Sequence, residues 1–241
     1  MQRTSFYKRV MTLLLAFIMI LGLLPISQIV TPVSAANTRA GAPEKITLGE
    51  SKFNSKVYDT PSLKDVQLRE MRFNVGGELS PGFCADHSKP LNTTPGKIIW
   101  SQPESIDTAS GGKFAVVKPF ITWYNHYWFY SQNLRQQYPN ATDTELQQKA
   151  EADGMGYYGY WSDWTNRLNS CFPQGAAWLA GAGLLTNYND PSQQRLIAEQ
   201  YVYAQNSMMG DAAAPITEEA IQSALKTVQS IINEFNSRKL Q

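Results

Sequence analysis

Apolar residues near the C terminus recur at steps of four and three: Ile221, Leu225, Val228, Ile232 and Phe235. At 3.6 residues per turn this spacing lays one stripe along a helix, so an amphipathic helix is predicted there. Upstream, "NDPSQQRLIAEQYVYAQNSMMG" opens with Asp190 as N-cap, Pro191 at the first helical position and Gln193 at the third. Ile197, Tyr201 and Ala204 share one face of that helix, with Val202 beside them. "NATDTELQQKAEADG" places Thr142 and Glu145 in the spacing of a capping box, with Gly154 as a stop. Between these, "QGAAWLAGAGLL" is small and apolar, a buried helix or a tight turn.

Toward the N terminus the period falls to two. "REMRFNVGG" alternates Met71, Phe73 and Val75 with polar neighbours and predicts a half-buried strand ending at Gly76-Gly77. "KIIW" and "KFAVVKPFITWYNHYWFY" are rich in β-branched and aromatic residues, which favour strands. Pro119 inside the second run predicts an edge strand or a break. Its aromatic half, Trp123 to Tyr130, also fits the start of a buried helix. The expected order is therefore a polar lead-in over 36–62, with Pro43 and Pro61, a β-rich part over 63–130 and a mainly helical part over 131–241.

The first 35 residues read differently. Arg3, Lys8 and Arg9 precede an apolar run from Val10 to Leu24, and Val33-Ser34-Ala35 supplies small residues for cleavage after Ala35. This predicts a signal peptide and a secreted or extracellular chain, possible cell-surface association included. The apolar run is short of the ~20 residues that span a bilayer, and no later segment is apolar enough, so no membrane insertion is expected after cleavage. Removing the three leader cations from 21 leaves 18 basic against 20 acidic residues. That balance argues against a nucleic-acid partner, which needs a basic face. About 200 mature residues can bury a core without disulfide staples.

Reactive groups are few: two cysteines, Cys84 and Cys171, and two histidines, His87 and His126. "GFCADHSKPL" sets Cys84, Asp86 and His87 in a turn between Pro81-Gly82 and Lys89-Pro90, where a loop on a rigid sheet presents reactive side chains. Four chemistries are open. Cys84 and Cys171 form a disulfide in an oxidising compartment, as in a non-covalent binding module. Cys84 or Cys171 works with His126 in a cysteine hydrolase or a transglutaminase-like enzyme. Cys84, His87, Cys171 and His126 total four zinc-type ligands, but without a second close pair, so no metal or cofactor is expected. The fourth is an internal thioester between a cysteine and a glutamine. Cys171 and Gln174 have the three-residue spacing of complement-type thioesters but lack their glycine-rich, glutamate-containing context.

"GFCADHSKPLNTTPG" resembles the cysteine segment of Gram-positive thioester domains, the tip modules of surface adhesins. There an aromatic residue precedes the cysteine, a small or apolar one follows, and an acidic residue and often a histidine come next. "GYYGYW" (Gly156 to Trp161) resembles a second segment of that family. The third is a helix carrying the partner glutamine, usually Thr-Gln, then an apolar stretch ending in Trp. "IAEQYVYAQ" lies in the corresponding order, with Glu199 in place of Thr and Ala204 in place of Trp. The resemblance runs from about Met71 to Met209.

It implies an α+β fold, an antiparallel β sandwich or barrel with a helical lobe. It also implies that Cys84 attacks the amide of Gln200 and expels ammonia. Of the four glutamines in that segment, Gln193, Gln194, Gln200 and Gln205, Gln200 is the one flanked by Ile197 and Tyr201 near the expected buried face. Phe83, Asp86, Tyr157, Tyr158, Tyr160 and Tyr201 would line a dry pocket, and His87 would act as base. The function implied is covalent adhesion to a lysine amine of a host or surface protein. With a single turnover, this is not an enzyme.

Overall fold

The computed structural model describes residues 44–48, 53–54, 57–75, 78–87, 98–101, 105–157, 164–209 and 215–237. The predicted leader lies outside the described residues. Five short strands come first: β1 (Glu44–Leu48), β2 (Phe53–Asn54), β3 (Arg69–Val75), β4 (Glu78–Gly82) and β5 (Ile98–Ser101). All pair antiparallel. β4 lies along one side of β3, from Met71 opposite Gly82 to Val75 opposite Glu78. β1 lies along β3 from Phe73 to Val75, the two residues of β2 pair with Arg69 and Glu70, and β5 lies outside β1. The predicted alternating strand is thus β3. The Gly76-Gly77 turn lies outside the described residues.

Helix follows, after two short 3-10 turns, Ala109–Gly112 and Ala115–Val117. The helices are α1 (Lys118–Gln137), α2 (Asp143–Ala152), α3 (Trp164–Gly181), α4 (Pro191–Met209) and α5 (Glu218–Asn236). The described residues are therefore predominantly helical, with one small antiparallel sheet. The expected α+β class with a β sandwich or barrel is not what forms: among the described residues no second sheet faces the first and the sheet does not close.

The correction centres on "KFAVVKPFITWYNHYWFY", which is helical from Lys118. Pro119 sits in the first turn of α1, where its missing N–H has no helical acceptor to lose. Phe120, Trp123, Tyr124, Trp128, Ser131 and Leu134 are buried at steps of three and four. Burial on one helical face outweighs the local β preference of aromatic and branched residues, which reflects packing more than backbone.

Elsewhere the end signals hold. Thr142 caps α2, with Glu145 N–H donating to its hydroxyl (3.3 Å) and Thr142 N–H donating to the Glu145 carboxylate (2.7 Å). Gly154 closes that segment at φ 69°. Asp190 accepts from Ser192 N–H (2.8 Å) at the start of α4. On α5, Ile221, Val228 and Ile232 are buried with Ala224 and Ile231. Arg195 joins α4 to α5 by bonding Glu199 (3.0 Å) and Glu218 (2.6 and 2.7 Å).

One core cluster gathers Val66 and Leu68, the aromatic face of α1, Phe172 to Ala180 of α3, Ile197 of α4 and the α5 stripe. A smaller one, Leu134, Leu146 and Ala150, lies under α2. No described helix is long and apolar enough to cross a membrane. Thr142→Ala removes the hydroxyl that accepts from Glu145 N–H and donates to the Glu145 carboxylate (2.9 Å), and is expected to lower stability by about 1 kcal/mol in urea unfolding.

Candidate functional site

The Cys84 turn begins where β4 ends. At Gly82 a side chain would collide with the ring of Phe73, so glycine lets that ring lie over the strand. Phe83 then meets Tyr124 of α1 edge-on, with centroids 5.6 Å apart. Tyr124 stacks on Trp128 (6.5 Å, 10°), and the Arg72 guanidinium covers the Trp128 ring at 3.9 Å. This ladder anchors the start of the turn to the helical core.

The next residue is held by a second helix. The Cys84 backbone N–H donates to Gln174 Oε1 (2.9 Å), and Gln174 Nε2 donates to the Cys84 carbonyl (2.7 Å). Gln174 projects from α3 and is 1 % exposed. Its planar amide thus takes the place of a neighbouring strand and has its oxygen and nitrogen assigned by the backbone it meets. Cys84 is half-buried, and its thiol donates to the Asp86 carbonyl (3.2 Å). The thiol is borne by the very residue whose backbone clamps the amide.

The approach of turn to helix depends on Gly181. Seven residues after Gln174, it lies on the same face of α3, about 20° off. A Cβ at Gly181 would run into the Ala85 carbonyl. Lys113 Nζ bonds the Gly181 carbonyl at this end of the helix. Gly175 does the same service toward α4, since its Cβ would stand 2.8 Å from Gln200 Cβ.

Gln200 is also 1 % exposed, but its amide makes no hydrogen bond to Cys84. Its Nε2 donates to Thr60 Oγ1 (2.7 Å), and its Oε1 has no hydrogen-bond partner among the described residues. The structure therefore pairs Cys84 with Gln174, where the sequence pointed to Gln200. One signal was available. The pattern of glutamine, three residues, then tryptophan, absent at Gln200, runs through Gln174-Gly-Ala-Ala-Trp178, with Pro173 in place of threonine.

The remaining sequence candidates divide. Phe83, Asp86 and His87 share the turn with Cys84, and His87 is half-buried there. Tyr201 stacks on Phe172 (4.1 Å, 8°), and burial first, then the nearby Cys171, pushes its phenol up to about 12. Tyr58 is raised further by the same two causes. Cys171 is a buried thiol, and it is not bonded to Cys84. Tyr157 belongs instead to the cluster under α2, where Arg135 donates to its hydroxyl (2.8 Å) and the hydroxyl donates to Asp143 (3.1 Å). Tyr158 and Tyr160 lie outside the described residues.

His126 follows Tyr124 by two positions, about 200° round α1, and so lies on the other side of that helix from the Phe83 contact. It packs on Tyr127, and burial lowers its pKa against the opposing field of Glu234. No three or more His, Cys, Asp or Glu side chains among the described residues converge as a metal site. No family model, curated protein or solved structure matches the chain.

Gly181→Ala is expected to force Ala85 off α3 and loosen the clamp. The Cys84 amide proton should then exchange with solvent at least tenfold faster, an increase of about 1.4 kcal/mol in opening. Unchanged protection would show that the contact does not hold the turn.

Proposed function

We propose that the chain forms an internal thioester between Cys84 and Gln174 and uses it to capture a primary amine covalently, as a secreted adhesion module. The single observation that carries this is the two-point clamp of the Gln174 amide on the Cys84 backbone. An amide is a poor acyl donor, so attack by a thiol needs the partners held at near-attack geometry; prior ordering of this kind is worth up to ~7–11 kcal/mol. The clamp supplies that order. Its Cys84 N–H also donates to the oxygen on which negative charge develops.

In the forming step the Cys84 sulfur attacks Gln174 Cδ, and the C–N bond breaks. The thiol proton passes to the departing nitrogen, which leaves as ammonia. The product is a neutral acyl–sulfur bond, shielded on one side by Phe83 and the aromatic face of α1. In the capture step a lysine amine of a host or surface protein attacks the same carbon. The C–S bond breaks, the amine's proton goes to the Cys84 sulfur, and an amide to the partner remains. His87, three positions after Cys84 in the same turn, would take that proton in transit. The resemblance of the Cys84 segment to Gram-positive thioester domains and the predicted leader agree with this use.

Intact mass tests the reading. The wild-type protein should weigh one ammonia less than its sequence, and methylamine should add its own mass at Gln174. Cys84→Ala and Gln174→Ala should both restore the full sequence mass, while Gln200→Ala should keep the deficit. A deficit that survives Gln174→Ala overturns the pairing. A loss of two hydrogens reversed by reductant would make the module a disulfide-linked one instead.

A further inference from the structure

One buried polar group on the helix that carries Gln174 is not used by this scheme. Trp178 is 3 % exposed, and its indole Nε1 has no hydrogen-bond partner among the described residues. Unpaired buried donors are uncommon and unfavourable, so such a group points to an acceptor that arrives in another state of the molecule. Trp178 stands four positions after Gln174 on α3, about 40° round the helix. Helical side chains lean toward the N-terminus and cover the preceding turn. That lean directs the indole toward the turn that carries Gln174.

We propose that Trp178 Nε1–H is a catalytic donor to the acyl oxygen of the Cys84–Gln174 thioester; this rests on the thioester reading. In the amide state Gln174 is held at both ends, Oε1 by the Cys84 N–H and Nε2 by the Cys84 carbonyl. Departure of the nitrogen as ammonia releases the second anchor and lets the acyl group turn toward the indole. When an amine attacks Cδ, the carbonyl electron pair moves onto that oxygen. The Cys84 and Trp178 N–H groups then hold the oxyanion together. Collapse expels the Cys84 sulfur, which takes the amine's proton. The donor has no partner in the amide state, bonds the acyl oxygen of the thioester, and bonds the oxyanion more strongly; that strengthening lowers the barrier to capture.

Trp178→Phe keeps a ring and removes the N–H. It should still show the ammonia deficit, with methylamine capture slowed about a hundredfold, the loss typical for one oxyanion donor. The thioester carbonyl stretch should move to higher frequency, which a purely structural role would not cause. An intact thioester with unchanged rate and stretch overturns the proposal. Should the variant not fold, wild-type protein decides: its Trp178 indole proton should resonate downfield of that in Cys84→Ala, and coincident resonances overturn the proposal. A wild-type protein of full sequence mass would instead overturn the thioester reading itself, and this inference with it.

Discussion

A carboxamide buried between helices must find its hydrogen bonds on protein, since leaving them unmade costs about 1–3 kcal/mol for each group. Gln174 finds a donor and an acceptor on one residue, Cys84, ninety positions earlier in the chain. Much of the local architecture follows from that need. The turn must come close enough for its backbone to be read by a side chain, so Gly181 lacks the Cβ that would hold Ala85 away. Phe83 must be seated before Cys84 can be presented, and Tyr124, Trp128 and Arg72 seat it.

The contrast with Gln200 sharpens the point. Both glutamines are buried to the same extent, and each side chain joins a helix to an N-terminal segment. Gln200 reaches a threonine hydroxyl, which also receives the N–H of Leu63 (2.9 Å) and of Ser62 (3.3 Å). That bond ties α4 to the loop around Thr60. Gln174 reaches a backbone that carries a thiol. Burial alone therefore does not tell the two amides apart; the side chain borne by the hydrogen-bond partner does.

How much could be read beforehand depended on how local the cause was. The caps at Thr142 and Asp190, and the spacing from Ile221 to Phe235, act within a few residues and were legible. So was the alternation that makes β3. The stretch after Lys118 was misread because branched and aromatic residues favour a strand in isolation, whereas Pro119 at a helix start and a buried face decide otherwise. The sandwich or barrel followed from a family resemblance of short segments, not from any pattern across 63–130. At the site, Cys84 stood out through its turn and its neighbours. Its partner did not, because the contact spans ninety residues and the one local signal was Trp178 four positions after Gln174. Pro173 lies in the interior of α3, where it removes the N–H that would bond the Asn169 carbonyl.

The position of Gln174 within α3 has a mechanical corollary. In the proposed reaction the acyl carbon remains on Gln174 when sulfur departs, so a tethered cargo hangs from this helix and not from the turn at Cys84. Tension applied by flow or by a moving surface would enter the molecule through a rod flanked by α1 and α4 and pressed into the main core. The small sheet would carry none of that load directly, and the emptied cysteine turn could relax without letting the cargo go.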